Sequence, residues 1–326
     1  MRNPKVFISR LSDGYLRSVR SGLSFVSPGE VLRAGHRVFI KPNLTYPEYR
    51  EGVMTSPECL EALIVALKDY GVEIIVGEAD GGGYNRFLMD EVFERTGLCA
   101  MAKRYGVRLV NLSKLPSREL PFEYKGKRFG IPLPEFLLDE VGCFITVPVP
   151  KVHANTGVSI SIKNQWGCIQ EPSFRLKLHP YFKAVIQAIN KALRVRISVV
   201  DGRFGLNRNG PMRGDPVELG WVLVSDNILA ADVVCCTLMG LDPRDIGYLR
   251  FHLESEPLPP LDAFHFNQDY HPFIGPQFYL HRDILDYPGY FAFRSPTLAY
   301  LAYHSPLSRI LHKGLYLFRE KFYDHD

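Results

Sequence analysis

Long apolar runs are missing from this chain of 326 residues: none reaches the ~18 uninterrupted apolar positions that a membrane-spanning helix needs. The opening Met1-Arg-Asn-Pro-Lys5 has no apolar signal core either, so a reducing cytoplasm with free thiols is expected. Paired cysteines are also lacking. The six cysteines form no Cys-x-x-Cys pair and have no spacing suited to an iron–sulfur cluster, so no such cluster is expected. Charge of one sign is scarce: 39 basic against 35 acidic residues leave a formal +4, too mild to mark a nucleic-acid footprint, and no nucleic-acid partner is expected. What is present is 46% hydrophobic content, enough to bury a sizeable core.

The order of patterns predicts an α/β protein: a largely parallel sheet with covering helices, in two lobes around a cleft, followed by a helical C-terminal extension. Val6–Ser9, Arg37–Lys41 and Val72–Gly77 read as short buried strands. Ser56 followed by Pro57 and Glu58 is a helix start, after which Leu60, Leu63, Ile64 and Leu67 recur at helical spacing up to Gly71. Residues 113–137, rich in Pro, Gly and charge, read as an insertion or crossover between lobes, with a small hairpin at Phe122–Phe129. Ile197–Val200 is a strand delivering Asp201, and the stretch Gly202–Gly214 reads as a loop. Its glycines and arginines, Arg213 among them, suit an anion or merely face solvent. Asp226 is expected to cap the helix Ile228–Met239. The α/β domain is drawn over 1–274 and the aromatic-rich extension over 275–326.

The densest cluster of chemistry-bearing residues lies just after the apolar run Cys143–Val149. Within 153–179 stand His153, Lys163, Asn164, Arg175 and His179. Open α/β sheets bind ligands beyond the carboxyl ends of their strands, so Lys41, Asp80, His153, Lys163 and Asp201 are expected to line one cleft. His153 is a candidate acid/base or a satisfied loop histidine. Lys163 is a candidate nucleophile or covalent anchor, or the partner of a simple ion pair to Asp80 or Asp201. His179 either ligates a metal or caps the helix that follows Pro180. Lys41, Asn43, Asn164, Arg175, Asp201 and Arg213 are candidates for holding an anionic small molecule or cofactor.

Several motifs carry a family resemblance over residues 37 to 250: Ile-Lys-Pro-Asn at 40–43, Thr-Ser-Pro-Glu at 55–58, Val-Gly-Glu at 76–78, Val-Pro-Lys-Val-His at 149–153, Lys-Asn at 163–164, Asp-Gly at 201–202 and Gly-Pro-Met-Arg-Gly-Asp-Pro at 210–216. In these the chain resembles domain-of-unknown-function family 362, many members of which carry an added ferredoxin-like region that this sequence lacks. The spacing His153, Lys163, His179 also resembles, more distantly, the nickel-dependent lactate racemases. That resemblance would make His153 an acid/base, Lys163 the anchor of a nickel-bearing nucleotide and His179 a nickel ligand. The racemases' second catalytic histidine is missing here, replaced by Asp80, Tyr84, Asn85 and Arg86, and Thr45 or Tyr46 stands in place of their substrate arginine. A two-histidine racemisation is therefore not expected, and His153 would need Asp80, Tyr84 or Lys163 opposite it.

These readings give an enzyme performing proton or hydride transfer beside a carboxylate or similar acid, with a divalent metal or nucleotide-derived cofactor. The alternative is an accessory protein that holds a phosphorylated ligand or cofactor without chemistry. From Tyr287 to Tyr323 aromatics, leucines and basic residues intermingle. This segment is expected to pack on the parent domain, with a homodimer contact or a peripheral membrane contact as the other choices.

Overall fold

A computed structural model of the chain describes residues 3–26, 29, 31–81, 87–303 and 305–315. Twelve strands occur among them: β1 Lys5–Arg10, β2 Arg37–Pro42, β3 Glu73–Glu78, β4 Arg108–Asn111, β5 Ser117–Tyr124, β6 Lys127–Pro134, β7 Cys143–Val147, β8 Lys151–His153, β9 Gly157–Ser159, β10 Val195–Asn207, β11 Asp215–Ser225 and β12 His265–Phe266. Ten form one sheet in the order β12-β1-β11-β10-β7-β2-β3-β4, with β8 pairing β10 and β9. The run β10-β7-β2-β3-β4 is parallel, while β11 is antiparallel to both of its neighbours. The fold is thus α/β with a mixed, mostly parallel sheet. No helix of the described residues is long and apolar enough to cross a membrane.

Alternate residues of each strand face opposite sides. Val38, Ile40, Ile74, Val76, Ile145 and Val224 join one hydrophobic cluster, whereas Phe39, Ile75, Phe144, Val200 and Leu223 join the other. The two hydrophobic clusters therefore lie on the two faces of one sheet. The helix Pro57–Lys68 covers the first face, and its Ser56 side chain accepts the Cys59 N–H as an N-cap should.

Residues 113–137 carry a separate two-stranded sheet, β5-β6, whose register runs from Ser117↔Pro134 to Tyr124↔Lys127. The turn places Lys125 and Gly126 at φ 52° and 72°, the pair of left-handed residues that a tight two-residue hairpin demands.

Two expectations need correction. The first part of the stretch Gly202–Gly214 is strand, because β10 continues to Asn207 against β11 past a bulge at Gly202/Phe204, and only residues 208–214 form the turn between them. Gly202 and Gly205 serve packing: a Cβ on Gly202 would run into the Trp221 ring, and one on Gly205 would come within 2.9 Å of Phe278. Asp226 does not cap the following helix; it accepts the Lys5 N–H, and Asn227 is the cap, accepting from Ala230 N at 2.9 Å.

Candidate functional site

Parallel neighbours β7, β2 and β3 end side by side, at Val147, Pro42 and Glu78, and a cavity of about 200 Å³ opens beyond those ends. Its wall includes Lys41, Asn43, Glu78, Ser159, Lys163, Asn164 and Arg175, with Trp166 and Gly167 beside them.

Lys41 is the last but one residue of β2, and its ammonium is buried. It donates to the Pro42 carbonyl at 2.9 Å and is ion-paired with Glu78, whose other oxygen accepts the Ala79 N–H. Gly167 makes room for this pair. A Cβ there would lie 2.5 Å from Glu78 Oε1 and 2.9 Å from Lys41 Nζ. Asn164 locks the turn Ser161–Asn164 to the strand ends, donating from Nδ2 to the Lys41 carbonyl and to Thr146 Oγ1, both at 2.9 Å. The start of the same turn is held by Asp232, fully buried on the helix Ile228–Leu238, whose two oxygens accept the Ser161 and Ile162 N–H groups. Burial raises the Asp232 carboxyl to about 7.

Lys163, carried by that turn, is part-buried in the cavity wall. Among the described residues its ammonium has no hydrogen bond or ion pair; Phe182 lies beneath it, with Nζ 5.9 Å from the ring centre. Burial, then the charges of Arg175 and Lys41, lower its pKa to about 7. Neither Asp80 nor Asp201 is its ion-pair partner. Arg175 donates to the carbonyls of Asp80, Gly167 and Ile169, yet its Nε is buried without a partner. Lys151 stands behind the wall, bonded to the Val53 carbonyl at 2.6 Å, and burial with Lys163 and Lys41 nearby lowers it to about 7. Glu78 offsets Lys41, so the cavity keeps an excess of positive charge.

The remaining candidates sit elsewhere. Asp80 turns its carboxylate to the Met89 N–H at 2.7 Å and to Asn111 at 3.0 Å, so it closes the segment leading into the helix Met89–Arg95 and does not line the cavity. Asp201 accepts from Tyr15 Oη at 2.5 Å and Ser56 N at 2.7 Å, fastening β10 to the start of the helix Pro57–Lys68. Arg213 is paired with Asp286 at 3.2 Å and Asp283 at 3.9 Å in the C-terminal segment. His153 is buried behind the wall. Its Nδ1 accepts the Asn155 N–H at 3.1 Å, which leaves the ring proton on Nε2, and burial next to Lys163 holds the ring neutral, well below the ordinary histidine range. Gly82, Gly83, Tyr84, Asn85 and Arg86 lie outside the described residues.

His179 does not cap the helix Phe182–Leu193, whose N-cap position is Tyr181; it stands at the C-terminal cap position of the helix Pro172–Leu178. Its ring is stacked against Phe293 at 4.1 Å and Phe182 at 5.7 Å, with Trp166 tilted at 5.3 Å. Burial, with Lys163 and Arg294 nearby, lowers it to about 3. With Lys163 and Arg294 near the ring, and no three His, Cys, Asp or Glu side chains converging as ligands among the described residues, the surroundings of His179 do not fit a divalent metal. A nucleotide-sized cofactor also fits poorly, the cavity being smaller than the roughly 300–1,000 Å³ usual for larger ligands.

Gly167, Ser159 and Trp166 are wall residues that the motifs did not single out, and Glu78 stood in a motif without being named as a site residue. Glu78 alone had a signal, as a carboxylate ending a buried strand.

A thylakoid-associated protein of Synechocystis sp. is 26% identical over 235 residues, covering 67% of each chain. Among solved structures, the lactate racemase apoprotein from Thermoanaerobacterium thermosaccharolyticum matches with a TM-score of 0.45 and 11% identity, over 73% of this chain; the chain spans 57% of that protein's length. The sequence pattern of the family described as Domain of unknown function (DUF362) matches residues 38–237, and the chain belongs to that family.

Proposed function

We propose that the cavity binds a small anionic metabolite, a carboxylate or a phosphorylated acid, and that Lys163 exchanges a proton with the atom next to the anionic group. The observation that supports this most is Lys163 itself, a cavity-wall ammonium without a hydrogen-bond or ion-pair partner among the described residues, beside Arg175, whose buried Nε–H is unpaired among them. An unpaired donor in a low-dielectric wall is costly unless a ligand accepts from it. Burial and the charges of Arg175 and Lys41 lower the Lys163 pKa to about 7, toward the range in which an amine can serve as a base. The amine would take a proton from the carbon beside the acid, the electron pair would move onto the acid's oxygens facing Arg175, and the ammonium would return the proton.

A second reading has its own support. Asp80 is bonded to the Met89 N–H and to Asn111, and His153 is held neutral behind the wall, which leaves Lys163 without an opposed acid–base partner among the described residues. Binding without chemistry is then the function. Incubating the protein with 2-oxo and 2-hydroxy acids in deuterium oxide separates the two. Loss of the α- or β-proton NMR signal with wild type but not with Lys163→Met supports proton transfer; no exchange from any acid that binds supports the binder.

A further inference from the structure

The C-terminal segment has its amphipathic order reversed. Its small and ring-stacking residues face the protein: Ala292 and Ala299 are buried, Phe293 stacks on His179, and Tyr303 stacks on Phe293 at 5.0 Å. Its large apolar residues face outward. Ile284, Phe291, Tyr300, Leu307, Ile310 and Leu311 are each 54–84% exposed. A helix that only covers a core puts polar residues on its far side. An apolar patch of this extent on a folded chain marks a contact surface.

Charge selects the occupant. Residues 287–319 contain no Asp or Glu but include Arg294, Arg309, Lys313 and Arg319. A second copy placed face to face would bring two such basic sets together, which disfavours a self-complementary dimer. The pieces are also short and broken by proline: the helices Tyr287–Ala292, Pro296–Tyr303 and Ser308–Leu315 cannot cross a bilayer. Tyrosine and phenylalanine mixed with leucine, isoleucine and cationic residues are the composition that settles at the headgroup level of a membrane.

We propose that the outer face of residues 284–311 rests on an anionic lipid surface. Lipid tails take up the outward side chains, and lipid phosphates neutralise the basic residues that the segment carries in its sequence. The same segment stacks on His179 through Phe293, so contact would be made beside the cavity wall.

The test is flotation of the full chain with vesicles of phosphatidylcholine alone and of phosphatidylcholine mixed with phosphatidylglycerol. Binding to the mixed vesicles in low salt is expected, with much weaker binding to the neutral ones and release at about 0.5 M salt, where screening shortens to a few ångströms. The double variant Tyr300→Glu/Ile310→Glu, at exposed positions, should keep the wild-type melting temperature and lose at least about ten-fold in vesicle affinity. Failure to float with the mixed vesicles, or equal flotation of the double variant, overturns the proposal. A concentration-dependent dimer dissolved by the same variant would also overturn it, by assigning the face to a second copy.

Discussion

Lys41 and Glu78 form an ion pair inside the cavity wall with side chains only 1% and 6% exposed. Two charges so removed from water are tolerable because each also bonds to backbone, Lys41 to the Pro42 carbonyl and Glu78 to the Ala79 N–H. Breaking the pair from one side leaves a bare buried charge. Glu78→Gln should therefore destabilise the fold by about 3–5 kcal/mol, whereas the paired replacement Lys41→Met/Glu78→Met should cost much less. Urea unfolding of the three proteins measures the difference.

Gly167→Ala tests the same place sterically. Its new methyl would meet Glu78 Oε1 and Lys41 Nζ, so the pair must shift, at a cost of about 1–3 kcal/mol. Anion affinity should fall with it, because Lys41 then moves in the wall. Alanine at 167 with unchanged melting and unchanged affinity would mean that the pair has slack.

Asp232 is expected to act on Lys163 at a distance, by holding the Ser161 and Ile162 N–H groups that begin its turn. Asp232→Ala orphans both donors and should cost about 2–6 kcal/mol, at about 1–3 kcal/mol for each unsatisfied buried group. A helical turn this short has little stability of its own, so amide hydrogen exchange over 160–164 should accelerate more than in the rest of the chain.

The depressed lysines set a pH dependence. Lys163 and Lys151 fall from 10.5 to about 7 on folding, so between those values the unfolded chain binds more protons than the folded one. Stability from these groups must then rise with pH from about 7 toward 10.5, with the penalty for burying their charge present in full below about 7. Melting curves should show that rise in wild type and a smaller one in Lys163→Met. Ligand binding should run the other way: an anion favours the ammonium, so binding near pH 8 should take up protons and give calorimetric enthalpies that change with the buffer.

Much of this was legible in the sequence because the signals were local. Strands β1, β2, β3 and β7 announce themselves as short apolar runs, and Ser56-Pro57 marks its helix by cap chemistry within four residues. The order of the motifs also brought Lys41, Asn43, Lys163, Asn164 and Arg175 into one reading. What stayed hidden depends on distant partners. Gly202 and Gly205 look like loop residues until Trp221 and Phe278 are seen lying against them. Asp80 and Asp201 look like free carboxylates until Met89, Asn111, Tyr15 and Ser56 are seen to bind them. Gly167 carries no sign that it sits over an ion pair built from strands more than eighty residues earlier.

The claim that everything else leans on is that the cavity accepts a small anion through Lys163 and Arg175. Isothermal titration of wild type with inorganic phosphate, pyruvate and lactate at pH 7 tests it most directly, alongside Lys163→Met and Arg175→Met. The account predicts saturable binding of at least one of these anions, weakened at least about ten-fold, or 1.4 kcal/mol, in each variant. Binding by wild type and both variants with equal affinity, or by none of the three proteins, would contradict it.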